Sequence, residues 1–178
     1  MSAIRIGFTI ALALMAQTTL ARFLVDGDTH VDLVLVTVVL AALSGGSIVG
    51  LWTGTVGGLF QDVLSGGIVG VSGLAKSIVG VLVGVVVAQF VVSTVWHRAV
   101  ILALATIAHA LFFFGVYAFL EPVGPIFSVA GILAQVITNA IVGIVAVALI
   151  NFVPTVIERG PFRRASLSRR WNADRGVR

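Results

Sequence analysis

The chain has 178 residues, of which 59% are hydrophobic and 10% charged, with a mean hydropathy of +1.16 and a formal net charge of +4. Soluble domains carry roughly 45–50% apolar residues, so this composition excludes a soluble globular protein and selects an integral membrane protein. The absence of cysteine also excludes a disulfide framework or a thiolate metal site.

In chain order, the first apolar segment runs from about Ile6 to Phe23, between Arg5 and Arg22. Its charged start and the small residues Ala16 and Ala21 also fit a cleaved signal peptide; because further spans follow, it is read as a retained first helix. Asp26, Gly27, Asp28, His30 and Asp32 then form an acidic, turn-forming loop. Three carboxylates beside a histidine invite a metal reading, but hard-cation loops gather more oxygen ligands at defined spacing, and a solvated loop is expected. A short second helix, about Leu33 to Leu43, is turned by Ser44-Gly45-Gly46 into a third, about Ser47 to Leu64. A fourth runs from about Val71 to Ser93. Thr94 to Arg98 reads as a brief interfacial loop, with Trp96 at headgroup level. The fifth helix extends to about Leu120, carries His109 and the cluster Phe112 to Phe114, and is broken by Glu121-Pro122. The sixth, about Phe127 to Phe152, bears Gln135, Thr138 and Asn139. The expectation is an all-α polytopic membrane protein with about six transmembrane helices. A single helical domain spans 1–155, and a flexible basic tail spans 156–178.

Twelve of the 20 glycines lie between Gly45 and Gly84. Gly46, Gly50, Gly54 and Gly58 recur every fourth residue, so on a helix they form a groove without side chains that a neighbouring backbone can enter. Gly80 and Gly84 continue the pattern on the fourth helix. The next step of the spacing is Asp62, followed by the turn Ser65-Gly66-Gly67 and by the only lysine, Lys76. An unpaired charge at the bilayer centre costs at least about 2.5–3.5 kcal/mol. Asp62 at the end of one helix and Lys76 one to two turns into the next are therefore expected to pair. The alternative has Asp62 satisfying turn amides while Lys76 extends alone toward the interface.

No nucleophile with a base pattern, His-Glu-x-x-His zinc motif or phosphate-cradling loop occurs, so no catalytic, metal or cofactor residue is expected. Ala75-Lys76-Ser77 has alanine where a phosphate loop has the glycine before its lysine. His109 reads as a helix-to-helix hydrogen bond, with a proton relay as the alternative; Gln135, Thr138 and Asn139 read as interhelical glue or as pocket lining. The phenylalanines cover most of a helix circumference, so at least one should meet lipid or a partner. Arg159, Arg163, Arg164, Arg169 and Arg170 in the tail suit anionic lipid headgroups or a cytoplasmic partner better than nucleic acid. With that tail cytoplasmic, six spans place both termini inside, the Asp62 turn and Glu121 loop outside, and His97 and Arg98 inside.

The run from Gly50 to Gly66, centred on Gly58-Leu59-Phe60-Gln61-Asp62-Val63-Leu64 and followed by Gly70-Val71-Ser72-Gly73-Leu74, resembles the signature of the MreD family of rod shape-determining membrane proteins. Val31-Asp32-Leu33 resembles that family's Pro-Asp-Leu opening of the second helix, with valine in place of proline. The resemblance covers about Asp32 to Gly84. It implies a non-enzymatic scaffold of the bacterial cell-elongation machinery in the inner membrane. Such a scaffold would bind the bitopic protein MreC and support a RodA-type glycosyltransferase, its penicillin-binding partner and an MreB filament. It also implies a six-helix fold like that of the substrate-binding subunits of energy-coupling vitamin transporters, which keeps a small-molecule-binding transporter subunit as the alternative function.

Overall fold

A computed structural model describes residues 7–8, 10–17, 31–90, 94–120 and 128–158, with side chains described as far as 149. The expectations for Asp26, Asp28 and His30, for the Glu121 loop and for the tail arginines Arg159, Arg163, Arg164, Arg169 and Arg170 lie outside the described residues. The chain divides into two units. The first, Met1–Ile144, holds α1 (residues 10–17), α2 (Leu33–Ser65), α3 (Val71–Gln89), α4 (Val95–Leu120) and the larger part of α5 (Val129–Glu158). The second, Val145–Arg178, holds the last turns of α5, which continues past Pro154 to Glu158, beyond the expected end near Phe152. Four of these helices are long and apolar enough to cross a membrane, so the protein is a membrane protein whose described elements are all helices.

Helix α2 is 33 residues long, but Gly46 inside it has φ 79° and ψ −170°, a conformation that only glycine adopts readily. In a straight helix Val34 and residue 57 would stand about 35 Å apart at 1.5 Å per residue. Instead a Cβ built on Gly57 would lie 2.9 Å from Cγ1 of Val34, and one on Gly50 would lie 2.9 Å from Cβ of Ala42. The chain therefore reverses at Gly46, and α2 is a helical hairpin with a short arm, 33–45, and a long arm, 47–65. Gly46, expected as the first rung of the glycine groove, is instead this turn.

The short arm is the centre of the first unit. Val34, Leu35, Val36, Val38, Val39, Ala41 and Ala42 are all buried, as an element that is apolar all round must be. Leu35, Val36, Val39 and Ala42 form one cluster with Val79 and Val83 of α3 and Leu102 and Ala105 of α4. Helix α1 joins through Ile10, which approaches Gly57, and α5 through Gly143, where Leu102 of α4 fills the space a side chain would need.

The long arm and α3 lie antiparallel with their backbones in contact. A methyl group at Gly54 would lie 2.5 Å from the carbonyl oxygen of Lys76, and one at Gly58 would lie 2.5 Å from Cα of Gly73; Gly50 faces Gly80, and Gly84 faces Ser47 and the carbonyl of Gly46. Within lipid, helices gain no hydrophobic free energy by associating, so such close dispersion contact is what holds them. Thr55 Oγ1 and Ser77 Oγ, 2.7 Å apart, add a hydrogen bond across the seam. At the far end, Trp96, His97 and Arg98 belong to the first turn of α4 rather than to a loop, because Arg98 N–H already bonds the Thr94 carbonyl at 3.3 Å.

Replacing Gly54 or Gly58 by leucine should lower the thermal stability of the purified protein by the equivalent of about 1–3 kcal/mol or more, the range for overpacked interiors. Gly115→Leu, where a built Cβ meets nothing within 4 Å, should leave it unchanged. Melting curves in detergent check both.

Candidate functional site

Asp32, Lys76 and Asp62 are the charged side chains buried among the described residues, and they mark two polar features. The first lies at the start of the short arm. Asp32 is the residue before α2, and its Oδ1 accepts the Leu35 N–H at 2.9 Å, a capping bond that aspartate at this position is suited to make. Its other carboxylate oxygen, Oδ2, lies 2.7 Å from Lys76 Nζ, with the lysine side chain 0% exposed. The backbone N–H of Asp32 donates to Asn139 Oδ1 on α5 at 2.9 Å, and Val34 N–H donates to Gln17 Oε1 on α1 at 3.3 Å. The N–H groups at the start of the arm, which a helix cannot satisfy itself, are thus met by Asp32 and by side chains from two other helices, α5 and α1.

Lys76 also reaches His109 on α4, with Nζ 3.2 Å from Nε2. An ammonium has hydrogens and no acceptor, so Lys76 donates, Nε2 accepts and the ring proton sits on Nδ1. That Nδ1 is buried without a hydrogen-bond partner among the described residues. The ring stacks on Phe113 at 5.7 Å, and Phe113 in turn lies 4.7 Å from the Tyr117 ring. Asn139 closes the cluster by donating from Nδ2 to Thr106 Oγ1 at 3.2 Å, while Thr106 donates to the Leu102 carbonyl at 2.9 Å. One connected network therefore joins α2, α3, α4 and α5.

The second feature is the turn between α2 and α3. Asp62 Oδ2 accepts the N–H of Gly70 at 2.8 Å and of Ser72 at 3.1 Å, capping α3 from the preceding helix. Gly66 and Gly70, with φ 70° and 106°, bend the chain between them, and Ile68 N–H donates to the Tyr117 hydroxyl at 3.2 Å. The ion pair expected between Asp62 and Lys76 is therefore corrected: Asp62 is engaged by turn amides, and Lys76 pairs with Asp32. The reversal at Gly46 brings Asp32 back level with the first turns of α3, where the lysine can reach it without leaving the interior.

Asp32 is the functional residue that sequence reasoning placed wrongly, as part of a solvated loop. Two signals pointed to it: an aspartate immediately before an apolar helical run is a capping pattern, and a lysine within a span needs an acid. His109 does bond across helices, to a cation. Of the three polar residues expected as glue or pocket lining, Asn139 bridges Asp32 and Thr106, and Thr138 donates back to the Ala134 carbonyl at 2.9 Å. The described residues contain no group of three or more His, Cys, Asp or Glu placed to hold a metal. Phe112 is exposed, Phe113 packs inward and Trp96 is exposed.

No family model, curated protein or solved structure matches the chain. The chemistry of these side chains therefore carries the functional reading.

Removing one member of a buried ion pair costs about 3–5 kcal/mol because the other charge is left uncompensated. In a double-mutant cycle on thermal stability, Asp32→Asn and Lys76→Met should each destabilise strongly, and their combination should cost clearly less than the sum. Asp62→Asn and Lys76→Met should add, since the two residues share no contact.

Proposed function

We propose that the chain is a non-enzymatic scaffold of the bacterial cell-elongation machinery, a multi-pass protein of the inner membrane that holds other membrane proteins. The observation that carries this reading is that the buried charged side chains among the described residues, and Asn139 beside them, are engaged by other groups of the chain. The lysine is neutralised by Asp32, Asn139 serves Asp32 and Thr106, Asp62 serves α3, and the glycine seam is filled by the neighbouring backbone. A carrier keeps donors and acceptors for its cargo, whereas a scaffold needs a fixed shape. The segment that resembles MreD, from Gly58 through Asp62 to Gly70 and Gly73, is also the segment that builds the capped turn and the tight α2–α3 seam, so the likeness falls on residues with a defined structural task.

On this reading the partners are an MreC-like bitopic protein and, with it, a RodA-type glycosyltransferase, a penicillin-binding protein and an MreB-like filament. The basic tail meets anionic lipid on the cytoplasmic side, and both termini are cytoplasmic. A second reading, a small-molecule-binding transporter subunit, is favoured by two atoms: His109 Nδ1 and Gln61 Oε1 are both buried without a hydrogen-bond partner among the described residues.

Purification of the tagged protein from its native membrane should recover an MreC-like protein. Recovery of an ATPase with its coupling subunit instead would replace the scaffold by the transporter reading. A cytoplasm-active reporter fused after Arg178 should be active and one inserted at Gly124 inactive; the reverse pattern would overturn the orientation.

A further inference from the structure

The short arm of α2 is poorly suited to stay in a membrane alone. Its residues 33–45 extend about 20 Å, against a hydrocarbon layer of about 30 Å, and it begins at a carboxylate. Around Asp32, the compensating groups come from elsewhere: Lys76 from α3, Asn139 from α5 and Gln17 from α1. Among these Lys76 supplies the one opposite charge. At the other end the arm is joined to the long arm through Gly46, whose positive φ already departs from helix and beside which a built Cβ meets nothing within 4 Å. The contacts between the long arm and α3 do not pass through the short arm, because Gly54 against Lys76 and Ser77, Gly58 against Gly73, and Gly50 against Gly80 are backbone approaches between those two helices.

We propose that the Asp32–Lys76 ion pair is a latch on this arm, hinged at Gly46. With the pair made, the arm is the centre of the bundle. With Lys76 neutralised, the Asp32 carboxylate loses the counter-charge it has among the described residues, and the arm swings out to the membrane surface, where water solvates its end, while the long arm and α3 stay packed together. A pair serving only as one packing contact among many would instead loosen the whole interior when broken. It would not release one arm selectively.

The chain has no cysteine, so a single introduced thiol reports one position. Val34→Cys lies in the fully buried part of the arm, and Ser77→Cys lies in the seam between α3 and the long arm. Each is placed in the full chain, reconstituted in liposomes permeabilised to reagent, and treated with a water-soluble maleimide. In the Lys76→Met background the labelling rate at Val34→Cys should rise by about tenfold or more, as expected for local opening of one element, while that at Ser77→Cys stays at its native value. Adding Asp32→Asn should return Val34→Cys to its protected rate, because neither charge then needs a partner. Any of three results overturns the proposal: unchanged protection of Val34→Cys in Lys76→Met, a parallel rise at Ser77→Cys showing that the bundle has come apart as a whole, or no recovery in the double variant.

Discussion

A lysine ammonium enclosed among membrane helices has to be met by a negative charge, and in this protein the requirement ties together elements that are distant in sequence. Lys76 is fixed within α3 by its helical position, so its carboxylate must be brought to it. The hairpin at Gly46 does so by returning the start of α2 to the level of the first turns of α3, where Asp32 and Lys76 come within 2.7 Å. The same carboxylate caps the short arm, and its backbone N–H draws in Asn139. Through this one residue, Asp32, the start of α2 is tied to both α3 and α5.

This arrangement is possible because the glycines remove the side chains that would keep the helices apart. With Gly50, Gly54, Gly58, Gly80 and Gly84 in the seam, α3 lies against the long arm at backbone distance, and the flank of α3 beside the seam, with Val79 and Val83, receives the short arm and α4. Lys76 can then span from one to the other, its main chain against Gly54 and its ammonium between Asp32 and His109. Both effects are needed: the seam supplies close apolar contact without choosing a partner for the lysine, and the ion pair selects which polar groups meet.

Much of this was legible in the sequence. The four-residue glycine spacing marked a helix–helix seam, Ser44-Gly45-Gly46 marked a chain reversal, and Ser65-Gly66-Gly67 marked a turn; each is a local signal whose physical meaning does not depend on the rest of the fold, whereas the capping role of Asp62 stood only as the alternative to a pair with Lys76. The partner of Lys76 was not legible, because two aspartates could reach it in different geometries, and choosing between them requires knowing how the hairpin folds back. Asp32 looked solvent-facing by its neighbours Asp26 and Asp28; its place before an apolar run signals a helix cap, but a cap alone does not say that the residue enters the interior. The start of α4 was misplaced because Trp96-His97-Arg98 is polar enough to resemble a loop, although backbone bonding continues through it.

Asp32, not Asp62, neutralises Lys76, and solid-state NMR of the protein in lipid bilayers reads this pairing without any substitution. With ¹⁵N on the lysine side chain and ¹³C on aspartate carboxyls, the single Lys76 Nζ resonance should show a short-range transfer to the Asp32 carboxyl, as the 2.7 Å nitrogen–oxygen contact requires. Transfer to Asp62 instead, or to no carboxyl, would contradict the account.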